Sequence, residues 1–204
     1  METNRWANGL SRRRVLQSMV LAGAATLLPR SFASPPTRRL GVALVGLGGY
    51  SRDLLAPALA LTQHCRLAGI VTGSPDKVPT WQTRYGIPDA NVYSYDDFHR
   101  IADNPDIDVV YIVTPNHLHK PQTLIAANAG KHVWCEKPMA MDAGEGEAMI
   151  KACRDNRVQL AIGYRMQHEP NTRRFMEMAQ ARPFGDIVQL RADAGWFGWR
   201  QGRD

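Results

Sequence analysis

Glu136-Lys137-Pro138 is the stretch of this chain best suited to chemistry. It follows a short apolar run, His132-Val133-Trp134-Cys135, that reads as a buried parallel strand. A lysine placed where such a strand ends lies at the edge of an α/β sheet, where ligands bind. Partly desolvated there, an ammonium group can exchange protons with a substrate hydroxyl. Glu136 would orient Lys137, and Pro138 would stiffen the turn that presents it. Taken alone, the tripeptide also reads as a surface Glu-Lys pair at a strand-to-helix turn, worth little in stability. The rest of the chain decides between the two.

A second chemical feature lies near residue 46. Gly46-Leu47-Gly48-Gly49-Tyr50-Ser51 directly follows an apolar run and has the GxGxx(G/A) pattern, with Ser51 at the third small position. Gly46 would permit the tight turn, and Gly48 would let the backbone approach a pyrophosphate at a helix N-terminus. Glycine-rich turns are common, but between a buried strand and a helix the pattern points to dinucleotide binding. Specificity is then read at the end of the second strand, where an NAD site places an acid for the ribose hydroxyls. Here the residues are Thr72-Gly73-Ser74, with Lys77 one turn further on, and the nearest acid is Asp76. A hydroxyl and a lysine suit a 2′-phosphate, which favours NADP over NAD.

The elements that must position these groups alternate along the chain. Expected strands cover residues 40–45, 67–72, 92–93, 109–113, 132–135 and 160–162. Between them, helices are expected over residues 54–61, interrupted near its start by Pro57, and from Pro75 to about Tyr85, capped by Ser74. Further helices are expected over residues 95–102, capped by Ser94, over 121–129, ending at Gly130, over 142–156, and over 170–181. Strand alternating with helix in this way predicts an α/β fold, a Rossmann-type doubly wound parallel sheet. From Ile187 to Asp193 the pattern alternates like a strand with one wet face. That segment is expected to open a second, incomplete antiparallel α+β domain. The exposed tryptophans of Trp196-Phe197-Gly198-Trp199-Arg200 would belong with it.

The chain has 204 residues, 44% hydrophobic and 22% charged, ordinary values for a globular protein. Its net charge is +6, but residues 1–33 hold five arginines and one acid, a balance of +4, which leaves +2 for the remainder. Charge therefore gives no support to nucleic-acid binding. Ser11-Arg12-Arg13-Arg14-Val15-Leu16-Gln17 resembles a twin-arginine export motif, followed by an apolar stretch from Val15 to Leu28 and small residues at Ser31-Phe32-Ala33. The stretch is shorter than the roughly 20 residues a membrane span needs, so a cleaved signal over residues 1–33 is expected rather than a stable anchor. Cys65, Cys135 and Cys153 are odd in number and form no CxxC pair, which argues against a disulfide framework or a zinc site. Each is expected as a small buried hydrophobe.

The chain resembles the glucose–fructose oxidoreductase/inositol dehydrogenase (Gfo/Idh/MocA) family. The resemblance rests on the Gly46–Ser51 loop, Thr114-Pro115-Asn116-His117-Leu118-His119, Ala129-Gly130-Lys131-His132-Val133, Glu136-Lys137-Pro138 and Gly163-Tyr164-Arg165. Their order and spacing cover most of residues 40–195. The leader, Gly73 and Tyr164-Arg165 make the chain most similar to the family's glucose–fructose oxidoreductase branch. The resemblance implies that Thr114, Pro115, Asn116 and His119 line the cofactor cleft. It places Glu136 and Lys137 beside the nicotinamide, with Lys137 as the catalytic contact to the reacting hydroxyl. Tyr164 and Arg165 would border the substrate and the cofactor. Read without the family, His117 and His119 are two residues apart on a loop. A metal site would need further ligands, and a capped helix start accounts for them, so no metal is expected.

The implied domains are the signal over residues 1–33, a short arm over 34–39, the NADP-binding domain over 40–165, and the start of a substrate domain over 166–204. The arm is much shorter than the subunit-embracing arm of that branch, and the family's second catalytic element, an Asp followed by His or Tyr, would lie beyond residue 204. The expected function is an NADP-dependent oxidoreductase acting on a sugar or polyol, with the cofactor held tightly. The alternative is a nucleotide-binding remnant that does not turn over. Expected partners are the small-molecule substrate and the twin-arginine export machinery, with a homo-oligomer for a full-length chain, and the expected location is the periplasm.

Overall fold

The computed structural model describes residues 38–191 and residue 193. The proposed signal, most of the short arm and the segment Trp196–Arg200 lie outside the described residues. Contacts divide the chain after Arg38, and the fold below is that of the unit beginning at Arg39.

Six parallel strands form one sheet: β1 (Leu40–Val45), β2 (Cys65–Val71), β3 (Val92–Tyr93), β4 (Val109–Ile112), β5 (His132–Cys135) and β6 (Leu160–Ile162). Their order across the sheet is β3-β2-β1-β4-β5-β6. Among the described residues, five α-helices accompany them: α1 (Ala56–Leu61), α2 (Val78–Tyr85), α3 (His119–Asn128), α4 (Ala143–Asp155) and α5 (Pro170–Ala181). This is the doubly wound α/β architecture that the sequence predicts.

Burial on both faces explains why the strands read as continuous apolar runs. Successive side chains of β1 point to opposite faces, so Val42 and Leu44 enter one core while Ala43 and Val45 enter the other. The first core packs Ile70 and Val109 against Ala56 and Leu59 of α1 and Trp81 of α2. The second packs Val110, Ile112, Val133 and Cys135 against Ala126 and Ala127 of α3 and Met149 and Cys153 of α4. Cys135 and Cys153 are thus buried as expected, and Cys65 is half-buried.

Local signals explain most helix ends. Gly86 and Gly130 take left-handed backbone angles just past α2 and α3. Asp142 caps α4 by accepting the Glu145 amide at 2.8 Å, and Glu145 reaches back to the Met141 amide at 3.2 Å. Pro57 does not break its helix. The residues before it, Ser51–Leu55, wind as a π turn that runs directly into α1. Pro57 has no N–H to donate to Asp53, and the wider turn accommodates its ring.

Three expectations require correction. Ser74 gives no side-chain cap, and Pro75–Lys77 is a 3-10 turn ahead of α2. The Ser74 amide is instead bound to Thr72 Oγ1 at 3.0 Å. Residues 95–102 do not form an α-helix. Ser94 and Asp97 bond one another reciprocally, with Ser94 Oγ donating to Asp97 Oδ1 at 2.9 Å and accepting the Asp97 amide at 3.2 Å, so a 3-10 segment begins only at Phe98. Residues 187–191 form no strand, because no neighbouring strand pairs with them among the described residues. Ile187, Val188 and Leu190 are exposed there. No helix among the described residues is long and apolar enough to cross a membrane.

Candidate functional site

Strand register collects the predicted residues along one edge. Tyr93, Val71, Val45, Ile112, Cys135 and Ile162 pair in a row across the six strands. One step beyond that row come Gly46 after β1, Thr72 after β2, Val113 after β4, with Thr114 next, Glu136 after β5 and Gly163 after β6. The chain reverses its winding between β1 and β4, and in such sheets the crevice beyond the strand ends at that point receives ligands.

The glycine loop forms one corner of the crevice. Gly46 has φ +93°, and a Cβ there would lie 2.8 Å from the Val113 carbonyl and 3.0 Å from Thr114 Cγ2. Only glycine lets β1 pass this close to the β4 loop. Ser51 is fully buried, and its hydroxyl donates to the Gly46 carbonyl at 2.6 Å, which locks the turn. Gly48 has the opposite character, since nothing stands within 4 Å of where its Cβ would be. The Asp53 carboxylate, paired with Arg52 at 2.7 Å, lies 3.6 Å from where a Gly49 Cβ would be. Exposed backbone at Gly48 thus faces open space at the start of a helical segment whose first amides lack intrahelical partners. That combination fits a pyrophosphate.

On the β2 side, Thr72 is buried, its amide donates to the Tyr93 carbonyl at 2.9 Å, and Gly73 passes beneath the Tyr95 ring. Burial raises the Tyr95 hydroxyl above its ordinary pKa. Lys77 folds back over the loop, its Nζ donating to the Leu47 carbonyl at 3.4 Å. A cation therefore stands beside the Gly48 corner where an NAD site would carry an acid.

The β4 loop behaves in two ways. Pro115, Asn116 and His117 are exposed at the crevice, whereas Thr114 is buried with its hydroxyl donating to Gln122 Oε1 at 2.6 Å. His119, expected to line the cleft, is fully buried. Its Nδ1 lies 2.8 Å from the Pro138 carbonyl and its Nε2 2.9 Å from the Thr114 carbonyl. His119 ties the β4 loop to the turn after Lys137 and offers no free ring nitrogen to a ligand.

On the β5 side, Glu136 is the hub. Tyr111 donates its hydroxyl to Glu136 Oε1 at 2.8 Å, and the Lys137 amide donates to Oε2 at 3.2 Å. Tyr50 of the glycine loop lies in the field of the same groups: burial first and then the Glu136 charge raise its hydroxyl pKa, and Arg165 lowers it. Burial raises the pKa of both tyrosines above the ordinary value, and the adjacent carboxylate raises it further. Burial likewise pushes the Cys135 thiol up to about 12, with the Glu136 charge as the second cause. Lys137 itself is exposed, so the described residues do not supply the desolvation expected from the sequence. Glu136 contacts the Lys137 backbone, not its ammonium. Tyr164 and Arg165, just past β6, are also exposed.

Two residues at this hub carry no role in the sequence reading. Gly163 leaves the space that the Glu136 carboxylate occupies, since a Cβ there would lie 2.8 Å from Oε1. Tyr111 is the other, and its polar tip inside an otherwise aliphatic strand was the available signal.

A family profile described as "Oxidoreductase family, NAD-binding Rossmann fold" (Gfo/Idh/MocA) matches residues 40–164. The chain belongs to the Gfo/Idh/MocA oxidoreductase family. Among its relatives in that family, the D-xylose 1-dehydrogenase [NADP(+)] of Haloarcula marismortui is 31% identical over 71% of this chain and 40% of its own length. The levoglucosan dehydrogenase of Pseudarthrobacter phenanthrenivorans is 33% identical over 67% of this chain and 33% of its own. The crystal structure of the aldose-aldose oxidoreductase from Caulobacter crescentus complexed with glycerol superposes with a TM-score of 0.69 at 46% identity, covering 71% of this chain and 43% of that one. The chain thus spans less than half the length of these Gfo/Idh/MocA relatives.

Proposed function

We propose that this chain binds NADP(H) tightly in the crevice between β1 and β4 and serves a hydride-transfer reaction on a sugar or polyol. The observation that carries the reading is the open backbone corner at Gly48, flanked by Lys77 on the β2 side and by the Glu136 hub on the β5 side. Gly46, Gly48, Gly49 and Ser51 would shape the pyrophosphate site, and Thr72, Gly73, Ser74 and Lys77 the 2′-phosphate end. Thr114, Pro115, Asn116, Glu136 and Arg165 would wall the other half. When bound, the nicotinamide accepts or supplies hydride. Lys137, exposed at the mouth, would contact the reacting hydroxyl and exchange its proton, while Tyr164 would border the substrate. The 31%-identical D-xylose 1-dehydrogenase named for NADP(+) supports the choice of NADP, as does the absence of an acid at the end of β2.

The twin-arginine-like leader supports export to the periplasm through the folded-protein route. Free nicotinamide cofactor is scarce there, so a nucleotide acquired before export must be reset in place. We therefore propose that one sugar is oxidised at C1 and a second carbonyl compound is reduced on the same bound nucleotide. The test is native purification of the mature chain, with bound nucleotide released and identified from one portion and aldoses added to another. Retained NADP+ that an aldose reduces to NADPH supports the proposal. Retained nucleotide with no turnover favours a nucleotide-binding remnant, and nucleotide lost on simple dialysis contradicts tight binding.

A further inference from the structure

Tyr111 stands in a strand whose other members, Val109, Val110 and Ile112, are buried aliphatics. Its register neighbours are Leu44 on β1 and Trp134 on β5, and its ring meets Trp134 edge-on at 5.7 Å and 85°. For that packing a phenylalanine would serve, so the hydroxyl needs a separate account. It donates to Glu136 Oε1 at 2.8 Å, while the Lys137 amide holds Oε2 at 3.2 Å. Donors from β4 and from the turn after β5 converge on one side chain. An unheld glutamate loses rotamer entropy when fixed, and here the fixing is done in advance.

We propose that Tyr111 is a positioning residue for the cofactor crevice: it holds the Glu136 carboxylate across the ends of β5 and β6, ready for the nicotinamide half of the nucleotide. The proposal rests on the nucleotide reading above and adds a location to it. Glu136 lies on the opposite side of the β1/β4 switch from Lys77 and Thr72. A defect at Tyr111 should therefore be felt by the nicotinamide end and not by the adenosine end.

Tyr111→Phe tests this in the full chain, because it removes one oxygen and keeps the ring against Trp134. Binding of NADPH and of 2′,5′-ADP, which lacks the nicotinamide, is measured by titration calorimetry. The expected result is an NADPH Kd raised about five- to tenfold, the value of one hydrogen bond, with 2′,5′-ADP unchanged. In a Glu136→Ala background the same substitution should add nothing. Tyr111→Phe that binds NADPH like the wild type, or that weakens both ligands equally, overturns the assignment while leaving the nucleotide reading intact. A wild-type chain that binds neither ligand overturns both.

Discussion

Gly163→Ala is the substitution whose sign depends most directly on whether Glu136 is held. The ideal Cβ would lie 2.8 Å from Glu136 Oε1, 3.1 Å from Cδ and 3.3 Å from Oε2. Gly163 is not among the glycines with positive φ, so its backbone accepts alanine. Its amide is bound to the Cys135 carbonyl at 2.8 Å, so the backbone cannot easily retreat. If the carboxylate were free, it would swing aside and the lost unfolded-state entropy would stabilise the chain by about 0.4–1 kcal/mol. Held as it is, the carboxylate must release Tyr111 and the Lys137 amide, and hydrogen bonds to a charged group are worth about 1.5–3 kcal/mol each. Glu136 is half-buried, so water recovers part of that loss, and the net expectation is destabilisation by about 1–2 kcal/mol. Urea denaturation of the full chain measures the difference. The penalty should shrink or reverse in a Tyr111→Phe background, where the grip is already loosened. A Gly163→Ala chain at least as stable as the parent would refute the reasoning.

Lys77→Ala should weaken NADPH binding by roughly tenfold or more while leaving NADH binding unchanged, since only the former carries the phosphate that the ammonium would meet. Equal losses in a paired titration would place Lys77 outside the phosphate site. A pH prediction follows from Cys135, whose thiol burial and the Glu136 charge push up to about 12. The unfolded thiol ionises near 8.5 while the folded one keeps its proton, so stability is complete below that value and falls as pH rises towards 12. The slope from this group is at most about 1.4 kcal/mol per pH unit, steepened by the raised Tyr111. Urea midpoints from pH 8 to pH 11, compared with Cys135→Ala, should show the variant's decline to be shallower. Identical slopes would mean that the thiol is not protected.

The sheet was legible because its strands are buried on both faces and separated by clear breakers such as Gly86 and Gly130. The glycine loop was legible because its residue types match the space they must leave. What the sequence hid was direction. His119 follows an exposed Asn116-His117 pair, and nothing in the spacing reveals that its ring turns inward to join the Thr114 and Pro138 carbonyls. Tyr111 sits within the apolar 109–113 strand pattern, and its partner lies 25 residues away, across a helix and a second strand. Residues 95–102 look helical by composition, but the reciprocal Ser94–Asp97 bonds are a local alternative that propensity does not weigh. Desolvation of Lys137 depends on what covers it, and one strand end cannot state that.

The central claim is that the crevice beyond Gly48 holds an NADP-type dinucleotide, and titration of the natively purified, nucleotide-stripped chain with NADPH and with NADH tests it most directly. One equivalent of NADPH should bind, at least tenfold more tightly than NADH, the preference expected of one charged phosphate contact. A chain that binds neither nucleotide, or that binds NADH more tightly, would contradict it.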